Sequence, residues 1–174
     1  NRSDPPPWYT CAEVAGVVRS APADAPVRAG DRVAGLTMIT GAMAETVVLT
    51  PDRVFPLPDS VSFEAGAGLL FNDLTVYFAL TVRARLARGE SVLVHGAAGG
   101  IGTSTLRLAP ALGAGRVIAV VSTEDKIEVA KTAGASDVVL ADGFKDAVAE
   151  LTGGKGVDIV MDPVGGDRFT DSLR

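Results

Sequence analysis

The stretch SVLVHGAAGGIGTSTLRLA, residues 91–109, joins a short apolar run to a helix-like pattern through a cluster of glycines and alanines. A second apolar run, Arg116–Val121, follows the helix pattern, so the whole segment has the order strand, helix, strand. Both strand patterns are continuous Val, Ile and Leu runs, as expected where helices cover both faces of a parallel sheet. The segment therefore predicts an α/β fold with a doubly wound parallel sheet.

Strand and helix patterns continue to alternate along the C-terminal part of the chain. Strands are predicted at residues 91–95, 116–121, 137–140 and 157–161. Helices are predicted at residues 101–112, 123–133 and 144–151, and a last one begins at Asp167. An earlier helical pattern starts after Ser62, which has a side chain suited to an N-cap.

The N-terminal part has short apolar runs separated by Pro, Asp and Gly. Strands are predicted at residues 13–20, 32–36, 44–50 and 53–58. This pattern indicates a β-rich domain, and a small barrel is one architecture consistent with it. We therefore divide the chain into a β-rich domain at residues 1–61 and a nucleotide-binding domain at residues 62–174.

Composition excludes several kinds of function. The net charge is −5, with 16 Lys and Arg scattered among 21 Asp and Glu, which argues against nucleic acid or a membrane as partner. Cys11 is the single cysteine and His95 the single histidine, so neither an intrachain disulfide nor a usual Cys/His zinc site can form. A reducing cytoplasm is the expected location.

The glycine-rich turn can be compared with the dinucleotide-binding pattern G-x-G-x-x-G. Ala97 replaces the first glycine, which supports a tight turn, while Gly99 and Gly102 keep the second and third. The second glycine lets the backbone approach a pyrophosphate, and the third lets helix and strand pack closely. A glycine turn that binds nothing is the alternative. The flanking strand and helix favour dinucleotide binding.

The end of the second strand bears on which dinucleotide binds. NAD-binding versions place an acidic residue about 20 residues after the last glycine to bind the ribose 2′-hydroxyl, and that count reaches the apolar Val121. Ser122 and Lys126 follow and can meet a 2′-phosphate. The alternative is that Ser122 or Thr123 only caps a helix and that Lys126 is solvated. We predict NADP(H) rather than NAD(H).

Six segments together resemble the zinc-free quinone oxidoreductase branch of the medium-chain dehydrogenase/reductase superfamily. They are EVAGVV (13–18), GDRV (30–33), GAMAETVVL (41–49), LTVYFAL (74–80), VLVHGAAGGIG (92–102) and DPVGGDRF (162–169). The resemblance implies a β-rich GroES-like domain joined to a Rossmann-type domain. Family members continue past DPVGG with further strands, so an incomplete copy of both domains is expected.

The resemblance also implies which residues contact the cofactor. Thr75 matches a position beside the nicotinamide ring, and Asn72 lies one turn earlier. Ser122 and Lys126 correspond to the 2′-phosphate site, and Val164 and Gly165 to the loop beside the cofactor ribose. The pyrophosphate loop corresponds to Ala98, Gly99, Gly100, Ile101 and Gly102. Ala141 lies where some relatives stack a tyrosine on the adenine.

The implied activity is hydride transfer from NADPH to a quinone or another α,β-unsaturated carbonyl, without zinc. Zinc alcohol dehydrogenases of the superfamily carry Gly-His-Glu where this chain has Cys11-Ala12-Glu13, and Ala12 cannot ligate a metal. No catalytic acid or base is assigned, and a scaffold role is predicted for His95. A homodimer of the full-length protein is expected. The alternatives are an enoyl reductase module of a larger synthase, a non-catalytic NADP(H)-binding protein, and a fragment that does not fold as a working unit.

Overall fold

The computed structural model describes residues 10–37 and 41–173. It divides into two compact units, Asn1–Leu74 and Thr75–Arg174. The division falls within a helix, and the domain boundary at residue 61 stays a prediction. No helix in the described part of the chain is both long and apolar enough to cross a membrane.

The first unit contains a three-stranded antiparallel sheet in the order β1-β2-β3. The strands are β1 (Glu13–Val17), β2 (Arg32–Leu36) and β3 (Val54–Pro56), and a 3₁₀ turn at Pro51–Arg53 leads into β3. Ala34 of β2 is buried with Leu57 and Leu70, and these residues form the core of the unit. The predicted β-rich region is thus confirmed as a small sheet.

The predicted strand at residues 44–50 is wrong. These residues form bends and irregular backbone, and Val48 is 95% exposed. The segment is rich in β-branched residues, but β propensity is stabilising only where a neighbouring strand and a buried face are available. Leu49 instead packs its side chain close to Gly35 of β2.

The helical region after Ser62 consists of two helices. Ser62 caps α1 (Phe63–Gly66), because its side chain accepts a hydrogen bond of 3.2 Å from the Ala65 amide. Helix α2 (Leu70–Phe78) follows and passes into a π-helical turn, Ala79–Arg83. The predicted N-cap is therefore confirmed.

The second unit contains a parallel sheet in the order β6-β5-β4-β7. Its strands are β4 (Ser91–Val94), β5 (Arg116–Val121), β6 (Asp137–Leu140) and β7 (Ile159–Met161). The chain builds outward from β4 through β5 to β6 and then returns to the other side of β4. The carboxyl ends of β4 and β7 thus flank the topological switch point, where open α/β sheets bind their ligands.

Helices lie on both faces of this sheet. They are α3 (Gly100–Ala111), α4 (Ile127–Thr132), α5 (Phe144–Leu151) and α6 (Asp167–Ser172). On one face, Leu106 of α3 and Ala130 of α4 pack against alternate residues of β4 and β5. On the other face, Phe144 and Val148 of α5 pack against the intervening residues of the same strands, among them Ile118. This arrangement confirms the doubly wound α/β fold.

Candidate cofactor-binding site

The glycine-rich turn after β4 leads directly into α3 and leaves the helix N-terminus open. The Ala97 amide donates to the Val120 carbonyl of the neighbouring strand at 3.1 Å, and the Gly99 amide donates to the Gly96 carbonyl at 2.9 Å. Gly99 is the N-cap residue of α3, and no side chain caps this end. Amides at an uncapped helix N-terminus are suited to bind phosphate oxygens.

Close backbone packing explains the glycine at position 102. A side chain there would start only 2.5 Å from the Ala97 Cα atom and would also contact the Gly96 carbonyl oxygen. At Gly99, which is exposed, a side chain would start 3.3 Å from the Gly96 carbonyl oxygen. Gly102 therefore permits the contact of helix and strand, and Gly99 keeps the outer surface of the turn free.

The end of β5 brings two of the predicted cofactor residues together. The Lys126 Nζ atom donates a 2.7 Å hydrogen bond to the Ser122 hydroxyl. Ser122 is exposed, as are Glu124 and Asp125 in the intervening 3₁₀ turn, Glu124–Lys126. A hydroxyl and an ammonium group thus lie side by side at the strand end.

Val121 does not belong to this polar surface. Its side chain is only 1% exposed and packs in the sheet core. The sequence count places the ribose-binding acid of NAD enzymes at this position, but the first accessible side chain after β5 is that of Ser122. Ser122, rather than Val121, is the position at which an acid would reach a ligand.

The loop after β7 lies against the glycine-rich turn. The Asp162 Oδ1 atom accepts hydrogen bonds from the amides of Val164 (2.9 Å) and Gly165 (2.8 Å). A side chain on Gly96 would start 2.9 Å from the Val164 Cγ2 atom. The structure therefore places the predicted ribose loop beside the predicted phosphate loop.

Asn72 and Thr75 both lie on α2. Asn72 is half-buried and Thr75 is exposed. Asn72 belongs to the first unit and Thr75 begins the second. Their place beside the nicotinamide ring stays a prediction.

His95 is completely buried at the end of β4. Its Nε2 atom lies 2.9 Å from the Ser172 hydroxyl, which itself donates to the Arg168 carbonyl at 2.8 Å. With the hydroxyl proton in that bond, Ser172 accepts from His95, and we therefore assign the imidazole proton to Nε2. The ring also packs edge-on against Phe144 with centroids 4.8 Å apart. These contacts are those of a scaffold residue.

Burial lowers the pKa of His95 below its usual value of 6.5, partly offset by the negative charge of Asp162 and reinforced by the positive charge of Arg168. Because the folded state binds this proton less readily than the unfolded state, stability falls as the pH drops from about 6.5 toward the folded-state pKa.

We expect the wild type to lose more unfolding free energy between about pH 7.5 and pH 5.5 than His95→Gln does. The slopes of unfolding free energy against pH for the two proteins differ by at most about 1.4 kcal/mol per pH unit. Urea unfolding of both proteins across that range measures it. Parallel stability profiles would contradict the burial of a neutral imidazole.

Asp162 is the residue that the sequence analysis missed. It begins the DPVGGDRF segment, and its carboxylate accepts from the amides of Val164 and Gly165 in the loop after β7. An Asp directly after a strand and before Pro and Gly is a signal for an Asx turn. That signal could have identified it.

Comparison with known proteins agrees with this geometry. A family model described as zinc-binding dehydrogenase matches residues 100–174. Quinone oxidoreductase-like protein 2 of Rattus norvegicus is 38% identical over 173 residues, which make up 98% of this chain and 49% of that protein. The chain belongs to the medium-chain dehydrogenase/reductase superfamily, as a quinone oxidoreductase-like member. The resemblance to the quinone oxidoreductases seen in the sequence is thus confirmed, and independence from zinc stays a prediction.

Solved structures of the superfamily superpose closely on this chain. Pseudomonas syringae quinone oxidoreductase does so with a TM-score of 0.83 and 39% identity, covering 96% of this chain and 52% of that one. Escherichia coli quinone oxidoreductase, solved in complex with NADPH, does so with a TM-score of 0.85 and 35% identity, covering 98% of this chain and 54% of that one. The chain spans about half the length of the relatives it matches.

Proposed function

We propose that this chain is part of an NADP(H)-dependent oxidoreductase that reduces a quinone or another α,β-unsaturated carbonyl without zinc. The observation that carries the proposal is the Ser122–Lys126 pair at the end of β5, 2.7 Å apart. It lies one strand away from the open N-terminus of α3, where Gly99 leaves the turn surface accessible. Together these features provide donors for a pyrophosphate and a separate cationic site for a 2′-phosphate.

Each part of the site has its own task in this proposal. The backbone amides of the turn bind the pyrophosphate, and Lys126 supplies positive charge to the 2′-phosphate while Ser122 donates a hydrogen bond. In this proposal Val164 and Gly165 lie beside the cofactor ribose, and Asn72 and Thr75 lie beside the nicotinamide. The turn residues concerned are Ala98, Gly99, Gly100, Ile101 and Gly102.

The acceptor chemistry explains why no catalytic acid or base is assigned. NADPH, when bound, supplies a hydride, and a conjugated acceptor is already polarised to receive it at an electron-poor carbon. The protein then has to orient the two molecules and exclude water. A small-molecule acceptor, a cytoplasmic location and a homodimer of the full-length protein belong to the same proposal.

The described residues of this chain do not fit a zinc site. The sole histidine, His95, is buried and uses Nε2 to bind Ser172, and Ala12 occupies the position of the metal-binding histidine in the zinc alcohol dehydrogenases. Among residues 10–37 and 41–173, no group of three or more His, Cys, Asp or Glu side chains is placed to hold a metal ion. We therefore propose that hydride transfer needs no metal.

We expect the full-length protein to oxidise NADPH in the presence of a quinone or an enone and to keep that activity after treatment with a strong chelator. The assay follows NADPH absorbance with a panel that includes a benzoquinone, a short enone and an enoyl thioester. Zinc content is measured by elemental analysis before and after treatment. Stoichiometric zinc whose removal abolishes activity would overturn the zinc-free part of the proposal.

Tight NADPH binding without turnover across the panel would favour the non-catalytic alternative. Turnover of the enoyl thioester alone would favour the enoyl reductase alternative.

A further inference from the structure

A single carboxylate shapes the loop that follows β7. The Asp162 Oδ1 atom accepts hydrogen bonds from two successive backbone amides, those of Val164 (2.9 Å) and Gly165 (2.8 Å). Gly165 and Gly166 then take φ values of 70° and 71°, a conformation that favours glycine. Val164, half exposed, lies against Gly96 at the start of the glycine-rich turn.

The second oxygen of the same carboxylate is buried. The Oδ2 atom of Asp162 and the Nδ1 atom of His95 are both inaccessible, and neither has a hydrogen-bond partner among the described residues. The two residues are neighbours across the sheet, since the His95 amide donates to the carbonyl of Met161, directly before Asp162, at 3.0 Å. Asp162 also acts electrostatically on the imidazole.

Both of these buried atoms are hydrogen-bond acceptors. With the proton assigned to Nε2 of His95, which donates to Ser172, Nδ1 presents a lone pair, and a carboxylate can only accept. Two acceptors repel each other unless a donor lies between them, and leaving both unsatisfied is costly. A single water molecule, which donates two protons, matches this pair.

We infer that Asp162 is a positioning residue whose Oδ1 atom holds the Val164–Gly165 loop against the phosphate loop and whose Oδ2 atom is anchored to His95 through one buried water. The inference rests on the proposed function, since the loop it positions is the one that would pass the cofactor ribose. In it, the carboxylate preorganises the loop before the cofactor arrives, so less ordering remains to be done on binding.

Three variants separate this role from a general effect on stability. Asp162→Ala removes both acceptor oxygens, whereas Asp162→Asn keeps an oxygen for the two loop amides and can donate toward His95. Asp158→Ala is the matched control, because Asp158 accepts from the amide and hydroxyl of Ser91 beside the opposite end of β7 (2.7 and 2.6 Å).

Amide hydrogen exchange in the cofactor-free full-length protein tests the loop directly. We expect the Val164 and Gly165 amides to exchange about tenfold faster in Asp162→Ala, and within about threefold of wild type in Asp162→Asn and Asp158→Ala. The inference would be overturned if the two loop amides exchanged at the wild-type rate in Asp162→Ala. It would also be overturned if Asp162→Asn accelerated their exchange as much as Asp162→Ala does.

His95→Phe tests the anchoring half of the inference, because it keeps an aromatic ring against Phe144 and removes Nδ1. We expect it to accelerate exchange of the two loop amides in the wild-type background and to add nothing in Asp162→Ala. Independent, additive effects would show that the two residues are not coupled.

Binding of NADPH gives a second measurement, with global stability followed in parallel by urea unfolding. Asp162→Ala should raise the Kd for NADPH about tenfold, and Asp162→Asn should restore it to within about threefold of wild type. If the wild type itself does not bind NADPH, the proposed function fails, and the exchange rates still decide the role of Asp162. If the wild type binds and Asp162→Ala binds equally well, the role of Asp162 fails alone.

Discussion

Replacing Gly102 with alanine is expected to destabilise the protein by about 2 kcal/mol. The new methyl group would start 2.5 Å from the Cα atom and 2.6 Å from the carbonyl carbon of Ala97, and these are backbone atoms that cannot rotate away. Overpacking of this kind costs up to about 3 kcal/mol. The better helix propensity of alanine offsets about 1 kcal/mol of that cost.

Moving α3 away from β4 would also displace the amides proposed to bind the pyrophosphate. We therefore expect the Kd of Gly102→Ala for NADPH to rise at least about tenfold, equivalent to ~1.4 kcal/mol. Urea unfolding and a fluorescence titration with NADPH measure the two effects.

Gly16→Ala is the control for the glycine-to-alanine change itself, since no atom lies within 4 Å of a side chain added there. If Gly102→Ala unfolds at the same urea concentration as the wild type, α3 and β4 do not approach as closely as described.

Removing Lys126 should weaken NADPH selectively. We expect Lys126→Ala to reduce the binding free energy of NADPH by about 1–2 kcal/mol, a charged hydrogen bond discounted for screening by water, and to leave that of NADH nearly unchanged. Titrations with both cofactors at one ionic strength measure the effect, because salt screens phosphate contacts. Lys131→Ala is the charge-matched control, since Lys131 is exposed on α4 and pairs with Glu128 at 3.3 Å.

The complementary change is Ser122→Asp, which should shift the preference toward NADH. A carboxylate at this exposed position can accept from the ribose 2′-hydroxyl, repels a 2′-phosphate and pairs with Lys126. The same change at Val121 would bury a charge in the sheet core, where the side chain is 1% exposed. If the wild type binds both cofactors equally, or Lys126→Ala weakens both alike, the pair at the end of β5 is not a phosphate site.

Much of the second unit could be predicted from local sequence patterns. The strands Arg116–Val121 and Asp137–Leu140 and the helix Phe144–Leu151 have the predicted bounds. Their apolar runs and the periodicity of the helix are properties of short segments, and burial between two layers selects for them.

The strand predicted at residues 44–50 shows the limit of that reasoning. A strand is stabilised by the neighbour it pairs with, and a run of β-branched residues does not reveal whether a sheet edge is available. Arg32–Leu36 is a shorter run than residues 44–50, yet it forms a strand because it pairs on both sides, with β1 and β3.

The candidate site divides in the same way. The glycine positions, the apolar residue at the end of β5 and the Ser122–Lys126 spacing could all be seen in the sequence, because each belongs to a single strand–helix–strand segment. The proximity of Val164 to Gly96 could not be seen there, because it depends on the pairing of two strands that are distant in sequence.

The sequence by itself determined the order of strands and helices in the second unit, the glycine-rich turn proposed to bind phosphate and the class of cofactor expected there. The tertiary structure alone decided which polar groups meet at the carboxyl edge of the sheet. His95 and Asp162 are 67 positions apart, yet the pairing of β4 with β7 places the His95 amide 3.0 Å from the Met161 carbonyl, one residue before Asp162. Hydrogen bonds act over about 3 Å, so a contact of this kind forms only once the sheet has brought the two strands together.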